Sequence, residues 1–263
     1  MIRNEHDMLA EALRNHSCFC QTIFVLDGSR GDAQVATREI CESFPKVAGY
    51  WHDDDTGYQQ PLRDGARQFL LERAREIHGL NNWYALLHGD ELWGEDPRPK
   101  LEIPDHPYAV VIQLYHFFPH SSERDSWSFP ANGSIEATSK WYMLPPGREH
   151  RLFFDTGEHN YEVSLHSRTI PSTLQRHIRL PISIKQYNYR TPEQAYDRAQ
   201  ERRDSGWQEN HYQHLLNGPE GFFIDSLAQT GHKWLGGLPP GQGQATNIRA
   251  NPLPTLTCDP TEE

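Results

Sequence analysis

Apolar positions in the first hundred residues alternate between helical and strand-like spacing. From Glu5 to Asn15 they fall at Met8, Leu9, Ala12 and Leu13, one face of a helix. Thr22 to Leu26 is a β-branched and apolar run that stops at Asp27-Gly28-Ser29, a strand entering a turn. Ala33 to Phe44 reads as a second helix ended by Pro45, and Lys46 to Trp51 as a short strand. Leu62 to His78 carries Ala66, Phe69, Leu70, Ala74 and Ile77 on one side and stops at Gly79. Trp83 to Leu87 is apolar, reads as a third strand, and gives way abruptly to His88-Gly89-Asp90-Glu91. Helix, strand, helix, strand, helix, strand is the order of an α/β layered sheet.

Beyond residue 106 the spacing changes. Tyr108 to Phe118 reads as a long strand, and His150 to Phe154, Tyr161 to Leu165 and Leu180 to Tyr189 as shorter ones. Pro192 to Asp204 is a charged helix, with Thr191 at the N-cap and Pro192 at the first helical position. From Leu235 the chain is rich in Gly and Pro and ends acidic, the composition of a disordered tail. The pattern predicts one domain over 1–234, with halves at 1–106 and 107–234, and a tail over 235–263. No internal repeat is visible.

Composition narrows the classes. A chain of 263 residues can bury a sizeable core. Its mean hydropathy of -0.78 is low, but 7 Trp, 11 Tyr and 11 Phe argue against wholesale disorder. A net charge of -11 disfavours nucleic acid, whose binding rests on phosphate contacts. Cys18 and Cys20 form C-x-C with no second ligand pair nearby, so they, Cys41 and Cys258 read as reduced thiols. No apolar run is long enough to span a membrane. Met1 to Arg14 carries charges throughout and lacks a signal-peptide core, which makes a cytoplasmic location the default expectation.

Polar clusters then stand at predicted strand ends or loops: Asn4-Glu5, Asp27-Gly28-Ser29 with Asp32, and His88 to Glu91. In an open parallel sheet such positions converge on one edge, where ligands bind. Taken singly each has a plain reading, because Asn4-Glu5 caps a helix and Asp27-Gly28-Ser29 forms a common turn. His52-Asp53-Asp54-Asp55 looks like a metal cluster, but adjacent carboxylates point apart and a solvated acidic loop is the expectation. His116 and His120 read as structural histidines. Trp127, Trp141 and Tyr142 either stack on a sugar ring or pack a second small core.

The order of these motifs resembles family 2 type glycosyltransferases with the GT-A fold, a Rossmann-like three-layer α/β/α arrangement on a mixed sheet. The matches are Arg3-Asn4-Glu5, Val25-Leu26-Asp27-Gly28-Ser29 with Asp32, the helix bearing Arg63 to Arg75, and Trp83 to Glu91. Arg151-Leu152-Phe153, His166 after a strand, and Tyr189 to Gln194 extend the resemblance to about residue 210. It implies transfer of a sugar from a UDP- or GDP-linked donor to a hydroxyl acceptor, with inversion, and Mn²⁺ or Mg²⁺ as cofactor. By the resemblance, Asn4, Glu5, Asp27, Ser29, Arg67, His88 and Gly89 hold the donor, with Asp27 on the base and Arg67 on phosphate. Asp90 and His166 are the implied metal ligands. Glu149 is the candidate base that deprotonates the acceptor, with Asp155 as its alternative and Asp125 as a further carboxylate.

The sequence also departs from the family pattern. His88 stands where the first aspartate of the D-x-D motif is expected, and imidazole suits Mn²⁺ better than Mg²⁺. Gln186-Tyr187 replaces a His-Tyr pair, and only Met1-Ile2 precede Arg3, so the expectation is a truncated start, with the loss of most of the first strand as the alternative. These departures leave a second reading, a non-catalytic nucleotide- or sugar-binding protein. A metal-dependent hydrolase ranks below both, because the chain lacks the H-E-x-x-H motif.

Overall fold

In the computed structural model, residues 1–56, 64–104, 106–130, 135–138, 140–144, 147–161, 169–171, 173–204, 214–216, 218–224, 244–247 and 253–258 are described. They build a mixed α/β protein that divides into two compact units. One comprises Met1–Gln113, Arg148–Ile182 and Thr255–Glu263, the other Leu114–Gly147 and Ser183–Pro254.

The first unit carries the alternation read from the sequence. Helix α1 (His6–Ser17) buries Met8, Leu9, Ala12 and Leu13, the face its spacing predicts. Strand β1 (Ile23–Asp27) pairs in parallel with β2 (Val47–His52), with Asp27 opposite His52, and α2 (Asp32–Glu42) connects them. Leu9, Leu13, Ile23, Val25 and Cys41 pack with Ile2 into one cluster. Helix α3 (Asp64–His78) and strands β3 (Asn82–Ala85) and β4 (Glu91–Trp93) follow.

Ahead of α1, Ile2 forms a single parallel bridge to β1. The Ile2 N–H donates to the Leu26 carbonyl at 3.0 Å, and the Gly28 N–H donates to the Ile2 carbonyl at 2.9 Å. The expected parallel sheet does not continue to β3. That strand pairs antiparallel with β7 (Gly147–Asp155), Asn82 opposite Asp155 and Ala85 opposite Leu152. β7 in turn lies beside β5 (Ala109–Phe118), and β8 (His177–Tyr187) pairs with β4 and β5. Leu71, Ala109, Phe153, Tyr161, Ile170 and Leu174 fill the core here.

The second unit holds α4 (Ile135–Thr138), β6 (Trp141–Leu144), α5 (Pro192–Asp204) and β9 (Gln244–Asn247). Its core gathers Phe118, Tyr189, Ala195, Ala199, Leu215, Phe222 and Ile224. α5 begins as predicted, with the Thr191 hydroxyl accepting from the Gln194 N–H at 3.1 Å. Trp127 and Trp141 pack against this core and Tyr142 is buried. Packing, the second of the two sequence readings, therefore describes these aromatics.

Two expectations are corrected. The predicted tail is not uniformly disordered, because β9 pairs antiparallel with β6, Leu144 opposite Gln244. Glycine and proline richness reports weak local preference, and a non-local ladder overrides it. Cys18 and Cys258 are not reduced thiols but form a disulfide, whereas Cys20 and Cys41 are free. A separation of 240 residues hid that pairing from any local motif. The expected strand from Tyr161 to Leu165 lies, beyond Tyr161, outside the described residues. No helix among the described residues is long and apolar enough to cross a membrane.

Candidate functional site

Three of the polar clusters meet in the first unit. The bridge at Ile2 sets Asn4 beside the turn after β1, where its N–H donates to the Ser29 hydroxyl at 2.8 Å. Asn4 has φ of 54°, a left-handed conformation that asparagine adopts more readily than most residues. Glu5 occupies the N-cap of α1 without a side-chain cap hydrogen bond. Its carboxylate instead lies against Gly89: a Cβ on Gly89 would come within 2.7 Å of Glu5 Oε2 and 2.6 Å of Ile2 Cγ2. The simple capping reading of Asn4-Glu5 is therefore not what the side chains do.

Asp27 is fully buried. One carboxylate oxygen accepts from the Ser29 N–H at 2.8 Å and the other from the Tyr50 hydroxyl at 2.6 Å. Burial, and then the bond to Asp27, raise the Tyr50 pKa. The carboxylate thus fixes the turn and keeps further lone pairs for another donor.

The stretch after β3 is organised by a residue absent from the implied site set. Arg151, on β7, is 1% exposed. Its guanidinium is ion-paired with Glu91, lies 2.9 Å from Glu149 Oε2, and lies 3.0 Å from His88 Nε2. Burial opposes its charge, but Glu149, Glu91 and Asp90 together outweigh that and raise its pKa. Burial lifts the Glu91 carboxyl well above the usual carboxylate range; Arg151 pulls it back, while Asp90, Glu149 and Glu5 push it further up. Burial wins over the ion pair because Glu91 is fully enclosed. The sequence signal for Arg151 is slight, a single charge heading the apolar run Leu152-Phe153-Phe154.

His88, Asp90 and Glu91 each offer a ligand atom within 4.8 Å of the others. Oxygen from Asp90 and Glu91 with one imidazole nitrogen suits Mn²⁺. Glu91 Oε2 is buried without a hydrogen-bond partner, which leaves one lone-pair-bearing atom for a cation. Glu91 Oε1 and His88 Nε2, by contrast, already face Arg151.

The other predicted residues are placed as follows. Arg67 is buried and ion-paired with Asp64 at 2.7 Å. Glu149 is 17% exposed, the accessible carboxylate of the Arg151 cluster. Asp155 is fully buried and accepts two bonds from Arg75, 2.7 and 2.8 Å long. That bidentate pair ties α3 to β7, whereas the Glu149 carboxylate stays accessible. Asp125 is exposed and belongs to the second unit. His166 lies outside the described residues.

The second histidine-acid cluster is a solvated loop only at Asp54 and Asp55, which are exposed. His52 and Asp53 are buried, and the Arg30 guanidinium sits 2.8 Å from Asp53 and 3.3 Å from Asp54. Arg30 Nη1 and the Ser29 carbonyl both approach His52 Nε2, at 2.6 and 2.8 Å. A protein cation already fills that place. His120 caps a short 3-10 turn, its Nδ1 accepting from the Ser122 N–H at 3.2 Å, a structural role as expected.

Comparison with protein-family models finds no match, and comparison with curated proteins finds none either.

Proposed function

We propose that this chain is a glycosyltransferase of GT-A type that moves a sugar from a nucleoside-diphosphate donor to a hydroxyl acceptor with inversion. The observation that carries the reading is the meeting of three separated motifs. Ile2 and Asn4 are hydrogen-bonded to the turn holding Asp27 and Ser29, and Glu5 closes onto Gly89 between His88 and Asp90. Asp27 would receive the base, and the divalent cation would sit on Asp90 with Glu91 or His88. When bound, the metal would offset charge on the departing nucleoside diphosphate. Arg151 adds a fixed, buried cation to the same cluster, which lessens dependence on the metal for charge compensation. Glu149, held beside Arg151 and reachable from outside, would take the acceptor proton.

The contact between His88 and Arg151 favours a second reading, because an imidazole held by a guanidinium is a poorer metal ligand. In that reading the protein binds nucleotide sugars without transferring them. Calorimetry with UDP- and GDP-sugars, with and without Mn²⁺, tests the first requirement. Binding that Mn²⁺ strengthens and that Asp90→Ala loses is the expected result. If no nucleotide sugar binds to the intact protein, the proposal fails. Donor hydrolysis without acceptor then separates the two readings: the transferase releases free sugar slowly, and the binding protein releases none.

A further inference from the structure

Strand β4 begins at Glu91, directly after Asp90, so it carries the end of the His88-Asp90-Glu91 group. Its three side chains are fully buried. Its other end, Trp93, is gripped by α1 and by the segment 253–258 together. The Leu256 N–H donates to the Trp93 carbonyl at 2.8 Å. The Asn15 amide donates to the carbonyls of both Trp93 and Leu256, and the Trp93 N–H donates back to Asn15 at 2.7 Å. The Phe19 ring packs on Trp93 with centroids 4.9 Å apart. The segment 253–258 is itself half-buried or exposed throughout, so little apolar burial holds it down. Its firm attachment is covalent. Cys258 follows Leu256 by two residues, Cys18 follows Asn15 by three, and the disulfide between them clamps the grip on Trp93. Cys258 is exposed and Cys18 half-buried, and exposed disulfides are the labile and regulatory ones.

We propose that Cys18–Cys258 is a thiol–disulfide exchange site, opened by a small thiol of the glutathione class, and that its state sets how firmly β4 presents Asp90 and Glu91. The thiolate of a first such thiol attacks the exposed Cys258 Sγ and forms a mixed disulfide there. The bridge breaks, and Cys18 Sγ leaves with the bonding electron pair and takes a proton. A second thiol attacks the outer sulfur of the mixed disulfide, and Cys258 leaves in turn and is protonated. Two small thiols are thereby oxidised to their disulfide while the bridge is reduced to two thiols. The oxidised small molecule runs both steps backwards. Cys20 and Cys41 do not compete, since burial raises their thiols to about 12 and leaves no thiolate near neutral pH. Once opened, 253–258 is held to α1 and Trp93 by hydrogen bonds without the covalent link, and β4 loosens at the end opposite its carboxylates. The effect on metal rests on the donor-site reading given above; the exchange site does not.

The test titrates the oxidised full chain with mixtures of reduced and oxidised glutathione in the cold, well below the melting temperature of the reduced form. Mass spectrometry is expected to show reversible loss of the bridge with a transient glutathione adduct on Cys258, while near-UV circular dichroism stays native. Opening is expected to speed amide exchange at Leu256 and Trp93 on the order of tenfold. It is also expected to weaken Mn²⁺ binding, read by calorimetry, by about fivefold. Cys258→Ser and Cys18→Ser should match the opened form and ignore the glutathione ratio. A bridge that glutathione opens only after unfolding, or an opening that unfolds the whole protein, would make it a plain structural cross-link and overturn the proposal. So would an opened bridge with both amides as protected as before. Mn²⁺ held equally by the two forms would refute the link between the bridge and the carboxylates. No Mn²⁺ binding by either form, with the amides responding as expected, would sink the donor-site reading and leave the exchange site standing.

Discussion

His16 is a buried imidazole in α1 whose Nε2 has no hydrogen-bond partner. Desolvation, with the Met1 ammonium adding to it, lowers its pKa from 6.5 to about 3, against a bond with the Glu91 backbone that raises it. The unfolded chain takes up this proton near pH 6.5 and the folded chain only near pH 3. Stability is therefore full above pH 6.5 and falls as the pH drops towards 3, by on the order of 5 kcal/mol if nothing relaxes. Urea unfolding across that range should show the loss, and His16→Leu should flatten it; an unchanged slope would mean His16 is hydrated. Gly89 makes a second prediction. Gly89→Ala drives a methyl into Ile2 and Glu5, so it should cost about 1–3 kcal/mol in urea midpoints and weaken ligand binding more than a distant substitution of equal cost. Much of the site was readable at this scale, since Asn4, Glu5, Asp27, Ser29 and Gly89 do come together. Arg151 was not assigned to the site because one arginine in a strand says nothing of the carboxylates around it until β7 is placed beside β3.

Asn15 shows how elements are joined. Its side-chain amide donates to the Trp93 carbonyl at 3.0 Å and the Leu256 carbonyl at 2.8 Å, and its oxygen accepts from the Trp93 N–H at 2.7 Å. One side chain thus ties α1, β4 and the segment at 253–258 together. Asn15→Ala leaves the buried Trp93 N–H and the part-buried Leu256 carbonyl without this partner, while the Trp93 carbonyl keeps the Leu256 N–H, and should cost about 2 kcal/mol or more by chemical denaturation. Asn15→Asp should be no better, because a carboxylate oxygen would face two carbonyls; recovery by Asp would argue that water bridges them. The elements legible in the sequence were those with sustained spacing: α1 to α3, α5, β1 to β3, β5, β7 and β8. The short strands β4, β6 and β9, three or four residues each, have too little length for a period to show. Their existence is decided by partners far away in the chain. The antiparallel partner of β3 is equally non-local, since α/β alternation alone favoured a parallel neighbour.

At the scale of the whole molecule, the most distant constraint is the disulfide between Cys18 and Cys258, 240 residues apart in sequence. It closes a loop around nearly the whole chain and holds 255–258 in the unit that contains α1 and β4. In the chain-entropy model a loop of that length restricts the unfolded state by about 5 kcal/mol. Reduction, or Cys258→Ser, should then lower Tm by about 10 °C or more. The other two thiols make the result interpretable. Cys41 is fully buried, and burial raises both Cys20 and Cys41 to about 12, so neither supplies thiolate for exchange near neutral pH. Alkylation followed by mass spectrometry should label no cysteine in the native oxidised protein, two after unfolding, and four after unfolding with reductant. Four labels without reductant would show that the bridge does not form. An unchanged melting temperature on reduction, with labelling as expected, would mean instead that the network around Asn15 holds the segment without the covalent link.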